Sequence, residues 1–164
     1  MAVSADEAFD LQRYLPSAFP HRLQFELSAK VEAINPAVDN AMCFAGEHGC
    51  AGECDFEVRL ALQEALANAV VHGCQCDGER SVHCLIACGD SQVLLIVRDP
   101  GEGFDVSGVP SPTEGHRLFE SHGRGIELIR RLMDEVYFER GGTEIHMVKR
   151  CPSTQRENLV LVDE

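Results

Sequence analysis

Two adjacent apolar runs, residues 81–88 and 92–99, constrain the fold of this chain more than any other feature. The first reads SVHCLIAC and the second QVLLIVRD, and the sequence GDS joins them. Runs of this length and composition are typical of buried β-strands, and a short connection containing glycine favours an antiparallel hairpin. The sequence therefore predicts a sheet that contains this hairpin and is packed against other elements.

The other periodic segments are of both strand and helix type. Alternating apolar residues predict a first strand at residues 22–27 (RLQFEL) and a last one at 143–149 (TEIHMVK). Apolar residues spaced by three and four predict helices over 31–46, over 55–73 with Asp55 as the cap, and over 126–136. This order predicts an α/β (α+β) two-layer sandwich, with helices on one face of a mixed, mostly antiparallel sheet.

Length and composition favour a single globular domain with short additions at both ends. The 164 residues, of which 45% are hydrophobic, suffice for one core and leave little for a second. Residues 1–20 lack a sustained period and are interpreted as a loosely docked N-terminal arm. The domain is expected over residues 21–150, and residues 151–164 are expected to form a tail because Pro152 ends the last strand.

Charge, hydropathy and cysteine pattern limit the partners and the compartment. The net charge of -13 disfavours binding to nucleic acid or to an anionic membrane. The chain shows neither a signal-peptide pattern nor the roughly 20 apolar residues that a membrane helix needs. Its eight cysteines include no Cys-x-x-Cys pair, so we expect reduced thiols and a cytoplasmic location. Histidines and cysteines also cluster at residues 48–54 and 72–76, but their spacing disfavours zinc.

The second predicted helix carries an unusual polar pair, Glu64 and Asn68. Their separation of four places both side chains on one face of the helix, about 6 Å apart. A carboxamide oxygen suits Mg²⁺ beside phosphates, and a carboxylate one turn earlier can accept a proton from a hydroxyl group. Taken alone, however, the pair fits a solvated helix face better than a metal-and-base site.

A second cluster, RDPGEGFD, follows the apolar run at residues 92–99. Gly101 and Gly103 allow the backbone to approach a flat ligand, and the Asp99 carboxylate can accept a hydrogen bond from an exocyclic amine such as that of adenine. The Thr143 hydroxyl is a candidate to share a water or a hydrogen bond with Asp99. The alternatives are an ordinary glycine-rich turn and an ordinary strand residue.

A third cluster, SHGRGIELI, leads Gly123, Arg124 and Gly125 into a helix. The free amides and positive dipole end of a helix start suit phosphate. The chain has no Walker loop, and no Gly-x-Gly-x-x-Gly follows a strand, so neither of those phosphate-binding motifs is present. Alone, this cluster also fits a flexible entry into a helix.

Four segments taken in order resemble the nucleotide-binding boxes of the GHKL ATPase superfamily, which has the Bergerat, or histidine-kinase-like ATPase, fold. They are EALANAVVHG, RDPGEGFD, SHGRGIELIRRLMDEV and GTEIHMVKR. The chain is most similar to the anti-sigma-factor serine/threonine protein kinases of the RsbW and SpoIIAB type. The likeness runs from about residue 22 to residue 150, and the four motifs together are far more specific than any one of them.

The resemblance implies a role for each cluster around bound ATP and Mg²⁺. Asn68 would be the Mg²⁺ ligand, and Glu64 the general base that activates the hydroxyl of a protein substrate. Asp99, Gly101, Gly103 and Thr143 would form the adenine site. Gly123, Arg124 and Gly125 would hold phosphate, and residues from about 105 to 122 would form a lid over the ATP.

The same resemblance implies a function in partner switching. A member of this family phosphorylates a small antagonist protein of the STAS type and sequesters a sigma factor or a similar regulator, usually as a homodimer. The alternative is a non-catalytic module that binds partners in an ATP-dependent manner, since the sequence shows little catalytic machinery beyond one carboxylate.

Overall fold

A computed structural model describes residues 9–104 and 121–152, which form five strands and three helices. The strands are β1 (His21–Ser28), β2 (Ser81–Gly89), β3 (Gln92–Arg98), β4 (Glu135–Glu139) and β5 (Glu144–Arg150). The helices are α1 (Ile34–His48), α2 (Asp55–Asn68) and α3 (Ser121–Leu132). Within these residues, no helix combines the length and the apolar character that crossing a membrane requires.

The sheet is built around the predicted hairpin of β2 and β3. Its strand order is β1-β2-β3-β5-β4, and each neighbouring pair is antiparallel. The predicted two-layer α/β fold is therefore confirmed, with a sheet that is antiparallel in every described pairing rather than mixed.

The main core lies between the helices and one face of the sheet. Its largest side chains, all nearly inaccessible to solvent, include Leu62, Leu66, Ile86, Leu95, Ile129 and Met147. In β3, Val93, Leu95 and Val97 belong to this core, while Leu94 and Ile96 are equally buried on the opposite face. Burial on both faces explains why the β3 sequence is an unbroken apolar run instead of an alternating one.

Residues 9–20 cover that opposite face of the sheet. Phe9 and Phe19 are buried against Leu94, Ile96 and three further apolar sheet residues. The expectation of a loosely docked arm is wrong for this part of the chain. Residues 9–20 contain one regular element, the short 3-10 turn Pro16–Ala18, so their contacts follow no regular period that the sequence could reveal.

Two helix ends differ from the sequence-based prediction. Helix α1 continues past Gly46 and ends at Gly49, whose φ of 62° is the left-handed conformation that favours glycine at a helix end. Helix α3 ends at Leu132, and Val136, predicted to lie in that helix, is part of β4. Val136 packs against the main core from β4, so its spacing resembled a continuation of the helix.

The structure joins Cys50 and Cys88 in a disulfide, which overturns the expectation that all cysteines are reduced. The bond links the segment after α1 to the end of β2, with the two Cα atoms 5.5 Å apart. The remaining six cysteines are thiols. The two partners are separated by 38 residues and meet only through the packing of α1 on the sheet. A pairing over this distance in sequence cannot be predicted from a local cysteine motif.

Reduction of this disulfide is expected to lower the free energy of unfolding by about 2–4 kcal/mol, because the unfolded chain gains the freedom that the closed loop had removed. Urea unfolding with and without a phosphine reductant measures the difference. In a Cys50→Ala/Cys88→Ala variant the reductant should have no effect. An equal response of wild type and variant would contradict a stabilising role for the bond.

Candidate functional site

A cavity of about 460 Å³ lies among the end of α2, the end of β3 and the start of β5. Five of the residues singled out from the sequence line it, namely Asn68, Asp99, Gly101, Gly103 and Thr143. These residues are spread over 76 positions of the chain, and the fold brings them together around one space.

The wall formed by α2 changes its helical geometry at the cavity. Asn68 is the last residue of α2, and Ala69–Gly73 continue as one turn of π-helix, so the helical segment does end at Gly73 as predicted. Single π-turns of this kind occur frequently at functional sites. The turn brings His72 and Gly73 to the cavity, where Gln75 and Arg80 also lie.

Asp99 is the half-buried acceptor of the site. Its Oδ1 accepts a hydrogen bond from the Gly101 N–H at 2.8 Å, and its own N–H donates to the Thr143 carbonyl oxygen at 2.9 Å. Burial raises the pKa of Asp99 above its ordinary value, and the Gly101 N–H and the Arg80 charge offset only part of this effect. A carboxylate held in this way is a strong acceptor for a ligand donor that enters the cavity.

Glycines allow the backbone to pack tightly around this carboxylate. A Cβ on Gly73 would meet the Asp99 carboxyl group, and a Cβ on Gly101 would collide with the Gly73 carbonyl oxygen. Gly103 has a φ of 77°, and a Cβ there would collide with the Gly141 carbonyl oxygen. The floor of the cavity is therefore bare backbone, against which a flat ligand can lie.

Thr143 contacts Asp99 differently from the prediction. Its hydroxyl donates to the Arg140 carbonyl oxygen at 2.9 Å, and the link to Asp99 runs through the Thr143 backbone carbonyl. The three residues before Thr143, Arg140–Gly142, form a tight 3-10 turn that places the Arg140 carbonyl group within reach of the Thr143 hydroxyl. The sequence located Thr143 at the site, and the direct hydrogen bond to Asp99 is made by its backbone carbonyl oxygen instead of its hydroxyl.

Apolar side chains form a slot that sequence reasoning missed. Phe104 and Phe138 meet edge to face, with ring centroids 5.4 Å apart, and Val97, Ile126 and Ile145 also line the cavity. Phe104 directly follows Gly103, so the glycine cluster could have indicated that Phe104 lies at the site. Phe138 lies in β4, the strand that the helical spacing concealed.

Glu64 and Asn68 converge on the first part of α3. A Cβ on Gly125 would lie 3.1 Å from both the Glu64 Oε2 and the Asn68 Nδ2 atom. The predicted pair therefore faces one point of the neighbouring helix. Asn68 lines the cavity, whereas Glu64 lies one turn earlier and is outside its lining.

The third predicted cluster lies inside α3 and not before it. The described part of α3 begins at Ser121, and Gly123, Arg124 and Gly125 all lie within the helix. The Arg124 side chain is exposed and outside the cavity lining. Most of the predicted lid, residues 105–120, falls outside the described residues, as does the tail from residue 153.

Gly101→Ala is expected to weaken adenine nucleotide binding at least tenfold, because the new methyl group collides with fixed backbone at Gly73 and displaces Asp99. Isothermal titration calorimetry with ATP measures the loss. Gly46→Ala is the matched control, since a Cβ there meets nothing within 4 Å. Equal ATP affinities for the two variants would contradict the close backbone packing described above.

The groups around the cavity fit ATP with Mg²⁺. The backbone floor is a cradle that a Cβ would fill, the apolar slot suits a purine ring, and Asp99 can accept from its amine. Residues 9–104 and 121–152 contain no group of three His, Cys, Asp or Glu side chains that could hold a metal ion. Mg²⁺ is commonly held by few protein ligands together with substrate phosphates, so Asn68 and ATP would suffice.

Fold and site together define a two-layer α/β domain with a cavity, between its helices and one end of an antiparallel sheet, that fits a nucleotide. The model of the histidine kinase-like ATPase domain matches residues 27–149, which is more than half of the chain. The chain belongs to this family.

Several similar proteins are bacterial anti-sigma F factors. The one from Bacillus licheniformis is 29% identical over 109 residues, which cover 60% of this chain and 71% of the relative. The one from Bacillus thuringiensis (strain Al Hakam) is 32% identical over 99 residues, which cover 57% of this chain and 67% of the relative. The resemblance inferred from the four sequence segments is confirmed.

Proposed function

We propose that this chain is an anti-sigma-type serine/threonine protein kinase. It binds ATP with Mg²⁺, phosphorylates an antagonist protein of the STAS type, and sequesters a sigma factor or a similar regulator. The observation that carries the proposal is the convergence of Glu64 and Asn68 on Gly125, at the side of a cavity that also contains Asp99. This arrangement supplies a base, a metal ligand and a purine acceptor in one site.

The cavity residues divide between the two ends of the nucleotide. Asp99 accepts from the adenine amine, with Gly101 and Gly103 beneath the ring and Thr143 beside them. At the other end, Asn68 holds Mg²⁺, which neutralises the charge of the phosphates. The first turns of α3 contribute phosphate contacts from Gly123, Arg124 and Gly125.

Glu64 is the residue that makes transfer possible. The hydroxyl oxygen of the substrate serine or threonine attacks the γ-phosphorus, and the bond to the oxygen that bridges the β- and γ-phosphates breaks, so ADP leaves. The hydroxyl proton passes to the Glu64 carboxylate. The side chain is half-buried beside α3, where a carboxylate has little structural use.

The proposed partners follow from the similar proteins and from charge. The relatives are named anti-sigma F factors, which supports a sigma factor as a partner of this chain. The net charge of -13 argues against a nucleic acid partner and is compatible with basic surfaces on a partner protein. We further propose a homodimer that acts in the cytoplasm.

The position of Glu64 also favours a second candidate, a non-catalytic module whose partner binding depends on ATP. Asn68 lines the cavity and Glu64 does not, so Glu64 is not part of the wall that would hold the nucleotide. In such a module, ATP would set the shape of the protein and Glu64 would be dispensable.

Phosphotransfer to a STAS-type protein tests the proposal. The purified chain is incubated with Mg²⁺, γ-labelled ATP and STAS-type antagonist proteins encoded in the same genome, and labelled protein is measured against time. Transfer that requires Mg²⁺ and a serine or threonine in the antagonist supports the kinase. Tight ATP binding without labelled antagonist, together with ATP-dependent capture of a sigma factor, would favour the binding module.

A further inference from the structure

A buried polar cluster lies on the sheet face opposite the helices, directly behind the cavity. It consists of Arg98 on β3 and Glu144 and His146 on β5, which are 6%, 2% and 2% exposed. Arg98 Nε donates to Glu144 Oε2 at 2.5 Å, and His146 Nε2 lies 2.6 Å from Glu144 Oε1. Burial raises the pKa of Glu144, but the bonds from His146 and Arg98 outweigh this and hold it below its ordinary value. The Glu144 carboxylate is therefore ionised, and each of its oxygens has a hydrogen-bond partner.

The N-terminal arm completes this cluster from the other side. The Tyr14 hydroxyl lies 2.8 Å from His146 Nδ1, and the two rings are stacked. The Phe9 ring lies under the Arg98 guanidinium, 4.5 Å from ring centroid to Cζ. In the His146 tautomer that donates Nε2–H to Glu144, Nδ1 is an acceptor for the Tyr14 O–H. Burial raises the pKa of Tyr14 to about 12, so this donor keeps its proton at neutral pH.

The cluster is joined to the adenine site by the shortest possible covalent path. Arg98 immediately precedes Asp99, and Glu144 immediately follows Thr143. Arg98 and Glu144 are register partners, and the next step of the ladder is the Asp99 N–H to Thr143 carbonyl bond. Successive side chains of a strand point to opposite faces of the sheet. The arm therefore contacts Arg98 and His146 on one face of the β3 and β5 ends, while Asp99 and Thr143 line the cavity on the other.

The other end of the arm, at Ala18, packs closely against the sheet at the β2–β3 turn. The Ala18 carbonyl oxygen packs so closely on Gly89 that a Cβ there would collide with it, and Gln92 Nε2 donates to the same oxygen at 3.3 Å. Gly89 pairs with Gln92 at one end of β3, while Arg98 lies at the other end, about 20 Å away at the rise of a strand. The arm therefore spans the sheet from the hairpin turn to the nucleotide end.

We propose that residues 9–20 are a positioning element of the nucleotide site, which acts through Phe9 and Tyr14 on the cluster of Arg98, Glu144 and His146. With the arm docked, the two strand ends are held in register and Asp99 and Thr143 present their groups to the cavity. With the arm displaced, the cluster loses two of its partners and the ends of β3 and β5 loosen. The inference rests on the proposed role of Asp99 in adenine binding.

Two variants that leave the cavity residues intact test this inference. Tyr14→Phe removes the hydroxyl that contacts His146 and keeps the ring. Gly89→Ala blocks the seat of the arm at the far end of the sheet. Leu15→Ala is the control in the arm, since Leu15 is 73% exposed, and Gly46→Ala is the control for adding a methyl group.

The first readout is ATP affinity by calorimetry, and the second is hydrogen exchange of the Asp99 and Gly101 amides in nucleotide-free protein. Tyr14→Phe is expected to weaken ATP binding about three- to tenfold, the worth of one hydrogen bond, and to speed exchange at both amides. Gly89→Ala is expected to do both at least as strongly. The two controls should match wild type in both measurements.

The outcomes separate this inference from the proposed function. If wild type binds ATP and Asp99→Asn does not, but Tyr14→Phe and Gly89→Ala behave like wild type, the positioning inference fails alone. If wild type binds no ATP, the proposed function fails. Hydrogen exchange of the Asp99 and Gly101 amides then still tests whether the arm stabilises the ends of β3 and β5. Faster exchange spread evenly over all core strands would indicate a purely structural arm and would also overturn the inference.

Discussion

Asp99→Asn is expected to weaken ATP binding by roughly 30- to 150-fold, which corresponds to about 2–3 kcal/mol. The side-chain amide of the variant can present its NH₂ group to the adenine amine, so that a donor faces another donor in place of the carboxylate acceptor that the amine requires. Calorimetry with ATP measures the loss. GTP provides a second comparison, since guanine presents a carbonyl group where adenine presents the amine, so the preference for ATP should shrink in the variant.

The free protein should not be destabilised by the same substitution, which separates binding from folding. The amide side chain of the Asp99→Asn variant would keep an oxygen that can accept from the Gly101 N–H, and the substitution would remove an ionised group whose pKa is raised by burial. For a carboxyl group with a folded pKa above the unfolded value, stability falls as the pH rises through the interval between the two. At neutral pH the variant should therefore unfold at the same denaturant concentration as wild type, or a higher one. ATP affinity equal to that of wild type would show that the adenine site lies elsewhere.

Glu64→Ala is expected to lower the rate of phosphotransfer by about 10²- to 10⁴-fold, the usual contribution of a general base. ATP affinity should change little, because Asn68 and Asp99 remain in place. Glu64→Gln should be equally inactive, since the amide keeps the shape beside Gly125 but cannot take a proton. Rates are measured in single turnovers with a STAS-type substrate.

Gln63→Ala is the matched control for that experiment. Gln63 is the exposed neighbour of Glu64 on α2, so its loss reports any general effect of shortening a side chain there. Transfer by Glu64→Ala at the rate of the control would eliminate Glu64 as the base. Partner release that is equally fast in wild type and Glu64→Ala would favour the non-catalytic binding module.

Periodicity made most of the fold predictable. Strands β1 and β5 and the three helices each have a buried face along which apolar residues recur at the period of the element. The hairpin of β2 and β3 is buried on both faces, so its strands were recognisable as apolar runs of strand length. Strand β4 escaped because it is short and because Val136 contacts the core at a spacing that also suits a helix. The arm escaped for a different reason, since Phe9 and Phe19 reach the sheet from irregular backbone.

The site was predictable where residue types carried the chemistry. Asn68 and Asp99 are polar residues at places where a strand or helix has no need of them, and neighbouring glycines pointed to a ligand. Phe138 and Arg80 gave no such signal, because Phe138 reaches the cavity from a strand remote in sequence and Arg80 from the irregular segment before β2. The disulfide between Cys50 and Cys88 was equally hidden, as its formation depends on how α1 packs on the sheet.

The position of the docked arm also implies that some contacts form later than others during folding. The contact between Tyr14 and His146 joins residues 132 apart, and closing a loop of that size is slow compared with forming the β2–β3 hairpin. The surface that receives the arm is complete only after β5 has paired with β3. Until then, the apolar outer face of the hairpin is uncovered and open to contacts with other chains. We therefore expect arm docking to be a late step of folding, and we expect this chain to be most prone to wrong association in the interval before it.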